Sequence, residues 1–158
     1  MPTKVKPIPE GYHTLTPMLT VQNADAAIDF YKKAFAAEER FRMPTPDGKG
    51  VAHAELKIGD SVFMLGDEMP EQGCRSPVSV GGTPVSFYVY VEDVDAAFKT
   101  AVDAGAKVKM PVEDMFWGDR IGEVIDPSGH VWTLATHVED LSEEEIRKRG
   151  QEFFSKMA

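Results

Sequence analysis

The sequence predicts an α+β fold built from two copies of a βαβββ module. The main observation is an internal repeat, in which a short strand runs through a turn into an amphipathic helix. The first copy covers residues 16–21 and 24–28, and the second covers residues 86–91 and 94–98. The two helices begin at Asp25 and Asp95, which are about 70 residues apart. Each copy is followed by short strand-like segments that are separated by turn residues. Two modules with the same element order therefore share one chain.

The first module is predicted from alternation and turn chemistry. A strand over residues 15–21 alternates apolar and polar side chains, as on a sheet with two different faces. Asn23 or Asp25 caps the next element, a helix over 26–37 with apolar residues at helical spacing. The turn segment 44–48 separates strands at 39–43 and 51–58, and Gly59-Asp60 makes a tight hairpin to a strand at 61–65.

The second module repeats this order. Its strand at 87–91 leads to a helix that starts at Asp93 or Asp95, runs through residue 102 and stops at Gly105. Strands follow at 107–110, 122–126 and 130–136, with a loop at 114–120 and a Pro-Ser-Gly turn at 127–129.

The segments outside the modules complete the expected organisation of one domain over residues 1–158. We place the modules at 12–65 and 85–137, with an irregular, mobile linker at 66–84 that is rich in glycine and proline. An extension at 138–158 holds a terminal helix, because Ser142 and Glu145 form a capping box. Its apolar residues Ile146, Phe153 and Phe154 need a surface of this chain or of a second copy.

Composition and charge narrow the classes of function. The net charge of −9 argues against partners such as nucleic acid and anionic membranes, which need clustered lysine and arginine. No stretch approaches the roughly 20 apolar residues needed to span a bilayer. The single cysteine, Cys74, cannot form an internal disulfide, so we expect a cytoplasmic protein.

Two groups of short motifs carry a family resemblance. Segments 26–31 (AAIDFY) and 124–130 (VIDPSGH), on the tandem βαβββ pattern, resemble the vicinal oxygen chelate superfamily, which is the glyoxalase, bleomycin-resistance and dioxygenase fold. Segments 53–56 (HAEL), 59–62 (GDSV), 116–120 (FWGDR) and 135–140 (ATHVED) are most similar to its PhnB-like branch. The resemblance covers roughly residues 12–150. It implies a curved, cup-like mixed sheet around one cavity, with the helices on the convex side.

The resemblance also implies four metal-ligand positions, one on the first strand and one on the last strand of each module. Here they are occupied by Thr16, Met64, Ser86 and Thr133. A divalent cation of this kind prefers His nitrogen and carboxylate oxygen, which hydroxyls and a thioether do not replace. We therefore predict no metal and no other cofactor at the usual site.

Strand alternation then gives the candidate ligand-binding residues of the cavity. If Thr16, Met64 and Ser86 face the cavity, alternation along their three strands also places Met18, Val62, Tyr88 and Tyr90 on the cavity face. The apolar set on the strand at 51–58 should pack under the helices, which leaves His53 and Glu55 pointing into the cup. This pair is interpreted as a hydrogen-bonded cavity wall, a ligand contact, an oriented general base or part of a non-standard metal site.

The segment 116–120 supplies the expected rim of the cavity. Phe116 and Trp117 are costly to expose, and Arg120 is suited to clamp an anionic or planar group. Plugging of the cavity is the rival interpretation, and Asp119 and Arg120 would then pair with each other. The other histidines, His13, His130 and His137, are interpreted as structural or solvated.

Three functions remain open from the sequence. The first is a protein similar to bleomycin-resistance proteins that binds a small, partly aromatic organic molecule in a metal-free cavity. The second is an enzyme of lyase or dioxygenase type that uses a non-standard metal site or an acid–base pair at His53 and Glu55. The third is an accessory dimer with a filled cavity. In each case we expect a homodimer, because the terminal helix has an apolar face and the linker permits modules to pair within or between chains.

Overall fold

A computed structural model describes residues 4–158 of the chain, so residues 1–3 of the expected N-terminal arm lie outside the described part. Contacts within the chain divide it into two units. The first unit comprises residues 4–82 together with Pro127–Gly129, and the second comprises Thr83–Asp126 with His130–Ala158. Each unit contains one βαβββ module, which confirms the α+β tandem-module fold.

The first unit is a four-stranded mixed sheet with one long helix. Its elements are β1 (Met18–Val21), α1 (Ala24–Phe35), β2 (Glu38–Pro44), β3 (Val51–Ile58) and β4 (Ser61–Asp67). The strand order is β1-β4-β3-β2, with β1 parallel to β4 and the other pairs antiparallel. Asn23 caps α1 by accepting a hydrogen bond from the Ala26 N–H.

The core of this unit lies between α1 and one face of its sheet. Ile28 and Tyr31 on α1 are buried, as are Leu56 and Leu65 on the strands below. The Tyr31 ring meets the Phe63 ring edge to face, with 5.5 Å between their centroids. Full burial of such side chains contributes about 1.5–3 kcal/mol each, so this interface orients the sheet and leaves its other face for the site.

The expected linker contains more regular structure than its composition suggests. A short 3₁₀ helix at Pro70–Gln72 precedes α2 (Pro77–Val80), which Ser76 caps. Glu68 Oε1 accepts hydrogen bonds from the Ser76 N–H and from the Ser79 hydroxyl, and these hold the pKa of its carboxyl near 2. The Val78 N–H donates to the Ser128 carbonyl, which fixes the 127–129 turn against the same segment.

The second unit repeats the first and adds the terminal helix. Its elements are β5 (Ser86–Tyr90), α3 (Val94–Asp103), β6 (Lys107–Asp114), β7 (Asp119–Ile125), β8 (Val131–His137) and α4 (Glu143–Ser155). The strand order β5-β8-β7-β6 matches the first sheet, and β5 is again parallel to β8. Asp93 caps α3, and Ser142 caps α4 through the Glu145 N–H.

The expected loop at 114–120 is instead a short turn between two longer strands. β6 continues to Asp114 and β7 begins at Asp119, so only residues 115–118 form the turn. α4 packs against this turn, with the Phe116 ring 5.3 Å from the Phe153 ring. Arg149 on α4 forms a two-pronged ion pair with Glu139 at 2.8 and 2.9 Å. Within residues 4–158, no helix is both long and apolar enough to cross a membrane.

Candidate functional site

The face of the first sheet that does not contact α1 carries a row of side chains across all four strands. Strand register places Met18, Met64, Glu55 and Phe41 next to one another in that order. Met18 and Phe41 are exposed to 73% and 49%, so this row is open to a ligand. Met18, Met64 and Glu55 were predicted to share a face, whereas Phe41 was not among the candidates.

His53 and Glu55 lie two residues apart on this face and form a hydrogen bond. His53 Nε2 is 3.3 Å from Glu55 Oε1, and about a quarter of each side chain is exposed. Because a carboxylate only accepts, His53 donates through Nε2 when it is neutral, and Nδ1 then carries the lone pair. The Phe41 ring lies 6.3 Å from the imidazole ring.

Tyr12, from the N-terminal arm, completes this cluster and was not predicted. The hydrogen bond from its hydroxyl is the main reason that the pKa of Glu55 lies below its usual value, with a smaller contribution from His53. Burial and the same carboxylate raise the pKa of the Tyr12 hydroxyl. Glu55 is therefore an ionised acceptor held by two donors.

The second sheet offers an internal comparison for Glu55. In the first sheet Glu55 pairs with Met64, which pairs with Met18. In the second sheet Glu123 on β7 pairs with Thr133, which pairs with Tyr88. Glu55 and Glu123 therefore occupy equivalent positions in the two sheets. In each sheet a β-bulge opposite the glutamate adds one basic residue, Arg40 or Lys109.

The two glutamates nevertheless have different partners. Lys109 Nζ lies 3.0 Å from Glu123 Oε2, and the Thr133 hydroxyl donates to Oε1 at 3.3 Å. Glu55 is instead bonded to Tyr12 and His53, and Arg40 acts on it through its charge. The same scaffold position therefore holds an ion pair in the second unit and a titratable cluster in the first.

The free face of the second sheet converges on Asp119, which is only 3% exposed. The Tyr88 and Tyr90 hydroxyls donate to Asp119 Oδ2 at 2.7 and 2.9 Å, and Trp117 Nε1 donates to it at 3.2 Å. His137 Nδ1 donates to Oδ1 at 2.8 Å, and its Nε2 is 2.8 Å from Asp140 Oδ1. We call Asp119, its four donors and Asp140 the Asp119 cluster.

The hydrogen bonds of the Asp119 cluster decide its protonation. Burial raises the pKa of Asp119, but the four donors together outweigh it and the pKa lies below the usual value. Burial and the hydrogen bond to Asp119 raise the pKa of Tyr88, and mainly the same bond raises that of Tyr90. The pKa of His137 is raised, first by Asp119 and then by Asp140. A ring bonded to two carboxylates through both nitrogens must carry both protons, so His137 is an imidazolium in this arrangement.

Gly118 makes the turn that positions Trp117 and Asp119. Its φ is +97°, and a Cβ atom there would lie 2.4 Å from the Glu139 carbonyl oxygen. The Gly118 carbonyl in turn accepts hydrogen bonds from the N–H groups of Val138 and Glu139. Only glycine combines this backbone conformation with so close an approach.

The other predicted rim residues have different roles from Trp117. Arg120 is adjacent to Asp119 but does not pair with it: Arg120 binds Asp95 through two hydrogen bonds of 2.9 Å and Asp114 through one of 3.2 Å. Phe116 packs under α4, and the centroid of its ring lies 5.0 Å from that of the Trp117 ring. Ser86 is exposed at the start of β5, beside Val131.

The four positions that the family resemblance assigns to a metal do not fit one. The Thr16 hydroxyl donates to the His13 carbonyl, and the Thr133 hydroxyl donates to Glu123. Met64 offers a thioether and Ser86 a hydroxyl, which are poor ligands for a divalent cation of this class. Within residues 4–158, no group of three or more His, Cys, Asp or Glu side chains is arranged to hold a metal ion.

An open depression of about 700 Å³ lies elsewhere on the first unit, near the start of α1. Its carboxylates are already engaged: Asp67 accepts from the N–H groups of Ala24 and Val51, Asp47 accepts from Thr45 and Lys49, and Asp25 pairs with Arg42. None of the predicted ligand-binding residues lines it. The candidate site is therefore the two free sheet faces, not this depression.

Sequence reasoning missed Tyr12 and the roles of Asp119 and His137. The register that pairs Asp119 with His137 joins residues 18 positions apart, and no local pattern reports it. The available signal was the segment 116–120 itself, because a glycine between an indole and a carboxylate indicates an unusual turn.

Comparison with known proteins places the chain in a family. The family model described as Glyoxalase/Bleomycin resistance protein/Dioxygenase superfamily matches residues 13–134. An uncharacterized protein of Mycobacterium bovis is 48% identical over 136 residues, which cover 84% of this chain and 89% of that protein.

Two solved structures are similar to this chain. The crystal structure of an Arabidopsis thaliana gene product is 31% identical, with a TM-score of 0.62 over 78% of this chain and 98% of that one. A PhnB protein from Bacillus cereus is 21% identical, with a TM-score of 0.60 over 78% of this chain and 99% of that one, and this likeness shows the fold alone. With a family model matching most of its length, the chain belongs to the Glyoxalase/Bleomycin resistance protein/Dioxygenase superfamily.

Proposed function

We propose that this protein binds a small, partly aromatic organic molecule without a metal ion on the free face of its second sheet, and that the free face of the first sheet is a separate ligand surface. The observation that carries the proposal is the Asp119 cluster, in which a buried carboxylate fixes two phenols and an indole on one face. Side chains held in place lose little entropy when a ligand arrives. The arrangement is therefore suited to recognition.

The hydrogen bonding of the cluster limits the kind of ligand. Tyr88 and Tyr90 donate their only hydroxyl protons to Asp119, so neither hydroxyl is a donor toward a ligand. The Tyr88 oxygen also accepts from Trp117 Nε1 at 3.2 Å, so the Tyr90 oxygen is the more open acceptor of the two. Tyrosine and tryptophan rings favour planar ligands and cations over their faces. A planar molecule with a hydrogen-bond donor or a positive charge fits these groups, and the net charge of −9 agrees with it.

The first unit supports the proposal with a different surface. Met18 and Met64 form an adaptable apolar strip beside His53 and Glu55. Thioethers contact aromatic rings favourably, and the ionised Glu55 accepts hydrogen bonds. In this proposal Tyr88, Tyr90 and Trp117 contact a ligand on the second sheet, whereas Phe116 and Arg120 brace the turn. The first sheet has a separate ligand surface, formed by Met18, Met64, His53 and Glu55.

The test is an NMR binding screen on isotope-labelled protein with a set of planar aromatic cations and phenols. We expect saturable shifts at Tyr88, Tyr90 or Trp117, and a loss of affinity of about tenfold, or about 1.4 kcal/mol, in Tyr88→Ala. Arg147→Ala, on the exposed side of α4, is the matched control and should bind as the unaltered protein does. Equal affinities in all three proteins would contradict the proposal.

A second candidate function rests on the contact between His53 and Glu55. A carboxylate that orients an imidazole is a common arrangement in general acid–base catalysis. An enzyme of lyase type that uses this pair would lose turnover in His53→Asn while its fold persisted. Unchanged turnover in that variant would exclude the second candidate.

A further inference from the structure

We infer that Tyr12, Glu55 and His53 form a proton-transfer site, in which His53 accepts a proton from a weakly acidic organic ligand such as a phenol. Glu55 and Tyr12 are positioning residues that hold the imidazole. The inference rests on the proposed function in one respect only, which is that the ligand is a small aromatic molecule.

The first argument is the contrast between the two glutamates at the repeated position. Glu123 is neutralised by Lys109, so its charge is already balanced by a permanent cation. Glu55 has a bulge arginine opposite it as well, but its hydrogen bonds come from a phenol and an imidazole. Glu55 accepts a hydrogen bond from His53 Nε2, which leaves the lone pair of the neutral imidazole on Nδ1. The first unit therefore has a proton acceptor where the second has an ion pair.

The second argument is that the arm is anchored on both sides of Tyr12. Gly11, with φ +84°, lies against the Arg40 guanidinium, because a Cβ there would be 3.1 Å from Arg40 Nη1. His13 Nε2 is 3.3 Å from the Asp60 carbonyl, and the Tyr12 N–H donates to the Pro9 carbonyl at 3.1 Å. These contacts hold the hydroxyl of Tyr12 at Glu55.

The proton transfer itself needs no further reactant. The ligand O–H bond breaks, a new N–H bond forms at His53 Nδ1, and the ligand becomes a phenolate. The imidazolium that results keeps its Nε2–H bond to the ionised Glu55. Tyr12 retains its own proton, because burial and Glu55 both disfavour its phenolate. Met64 is the cross-strand neighbour of Glu55, and Met18 is that of Met64, so their thioethers provide the apolar contact for the ring of the ligand.

The positioning role is tested by the carbon-13 NMR titration of the Glu55 carboxyl in the full chain. We expect it to titrate below the usual range, and Tyr12→Phe to move the pKa upward toward about 4.3. His13→Ala removes one anchor of the arm but keeps the phenol, so it should move the Glu55 pKa in the same direction by a smaller amount. Equal Glu55 titrations in the unaltered protein and in Tyr12→Phe would overturn the inference.

The proton transfer is tested with para-nitrophenol, whose absorbance distinguishes phenol from phenolate. Binding is measured by equilibrium dialysis, and ionisation is measured by absorbance below the pKa of the free probe. We expect the phenolate-to-phenol ratio of the bound probe to be about tenfold higher than that of the free probe, which corresponds to a decrease of about one unit in the pKa of the probe. The variant His53→Asn should abolish this increase. Circular dichroism checks that His53→Asn folds.

The outcomes separate this inference from the proposed function. Probe that binds but stays neutral overturns the proton-transfer site and leaves ligand binding intact. An increase in phenolate that persists in His53→Asn also overturns it. Failure of the wider aromatic set to bind would instead overturn the proposed function, whatever the Glu55 titration shows.

Discussion

Asp119 is a charged side chain almost fully removed from water, and its stability depends on the donors around it. Two phenols, an indole and an imidazolium supply four hydrogen bonds to its two oxygens. A hydrogen bond to a charged group contributes about 1.5–3 kcal/mol of net stability. Because the carboxylate is the shared acceptor, it fixes all four side chains together.

Removal of this acceptor should therefore be costly. We predict that Asp119→Ala lowers the free energy of unfolding by about 3 kcal/mol, since the change leaves the partners without an acceptor. Urea denaturation measures the change. Asp114→Ala is the matched control, because Asp114 makes one exposed ion pair with Arg120, worth at most about 1 kcal/mol. Equal losses in the two variants would show that the cluster does not stabilise the fold.

His137 gives the cluster a pH dependence whose sign follows from its raised pKa. The stabilisation by the imidazolium is complete below the unfolded-state pKa of about 6.5 and is lost as the pH rises through the higher folded-state pKa. We predict that the difference in unfolding free energy between the unaltered protein and His137→Gln is largest at mildly acidic pH and shrinks above neutrality. Urea titrations at several pH values measure it, and a difference that grows with pH would refute the prediction.

At the scale of elements, the turn at 115–118 has the strictest backbone requirement that bears on the site. We predict that Gly118→Ala lowers the free energy of unfolding by about 3 kcal/mol, because the new methyl group adds a clash with the Glu139 carbonyl to an unfavourable φ.

Gly105 separates these two causes. Its φ is +113°, but a Cβ there meets nothing within 4 Å, so Gly105→Ala should cost only about 1 kcal/mol. Thermal or urea unfolding of both variants makes the comparison. If Gly118→Ala is no more destabilising than Gly105→Ala, the close approach to Glu139 is not a constraint.

The elements themselves were largely predictable from the sequence, because alternation and caps are local. β3 was predicted with its observed bounds, and Ser142 was correctly identified as the cap of the terminal helix. The errors are at strand ends that depend on pairing with a neighbouring strand. β1 begins at Met18 rather than at residue 15, and β7 begins at Asp119, within an expected loop. Strand ends depend on the register with a neighbouring strand, which the local sequence does not contain.

The candidate site was predictable only in part, for the same reason. Alternation assigns His53 and Glu55 to the face away from α1, and the buried Ala54 and Leu56 to the other. It does not indicate that Tyr12 reaches Glu55 from the arm, or that Asp119 accepts hydrogen bonds from donors on two strands and a turn. These contacts are set by tertiary structure.

At the scale of the whole molecule, the internal repeat is the feature that led to the family. It predicted two modules, and the equivalence of Glu55 and Glu123 shows that the repeat extends to register and to bulge positions. The expectations of a PhnB-like branch, of a cytoplasmic location and of an absent metal remain predictions.

The terminal helix leads to a prediction about assembly. Phe154 and Met157 are 61% and 70% exposed, and exposed apolar patches often mark contacts between chains. We predict that light scattering after size exclusion gives twice the mass of one chain, and that Phe154→Glu shifts the protein toward the monomer. A monomeric mass for the unaltered protein at micromolar concentration would contradict the expectation of a homodimer.

The most direct test of metal-free ligand binding is the fluorescence of Trp117 in protein stripped with a chelator and titrated with the planar aromatic set. Trp132→Phe removes the other indole, which is buried, so the remaining signal belongs to Trp117. We predict saturable quenching in the stripped Trp132→Phe protein and its loss when Tyr88→Ala is added. Quenching that appears only after a divalent metal is restored would contradict the central claim.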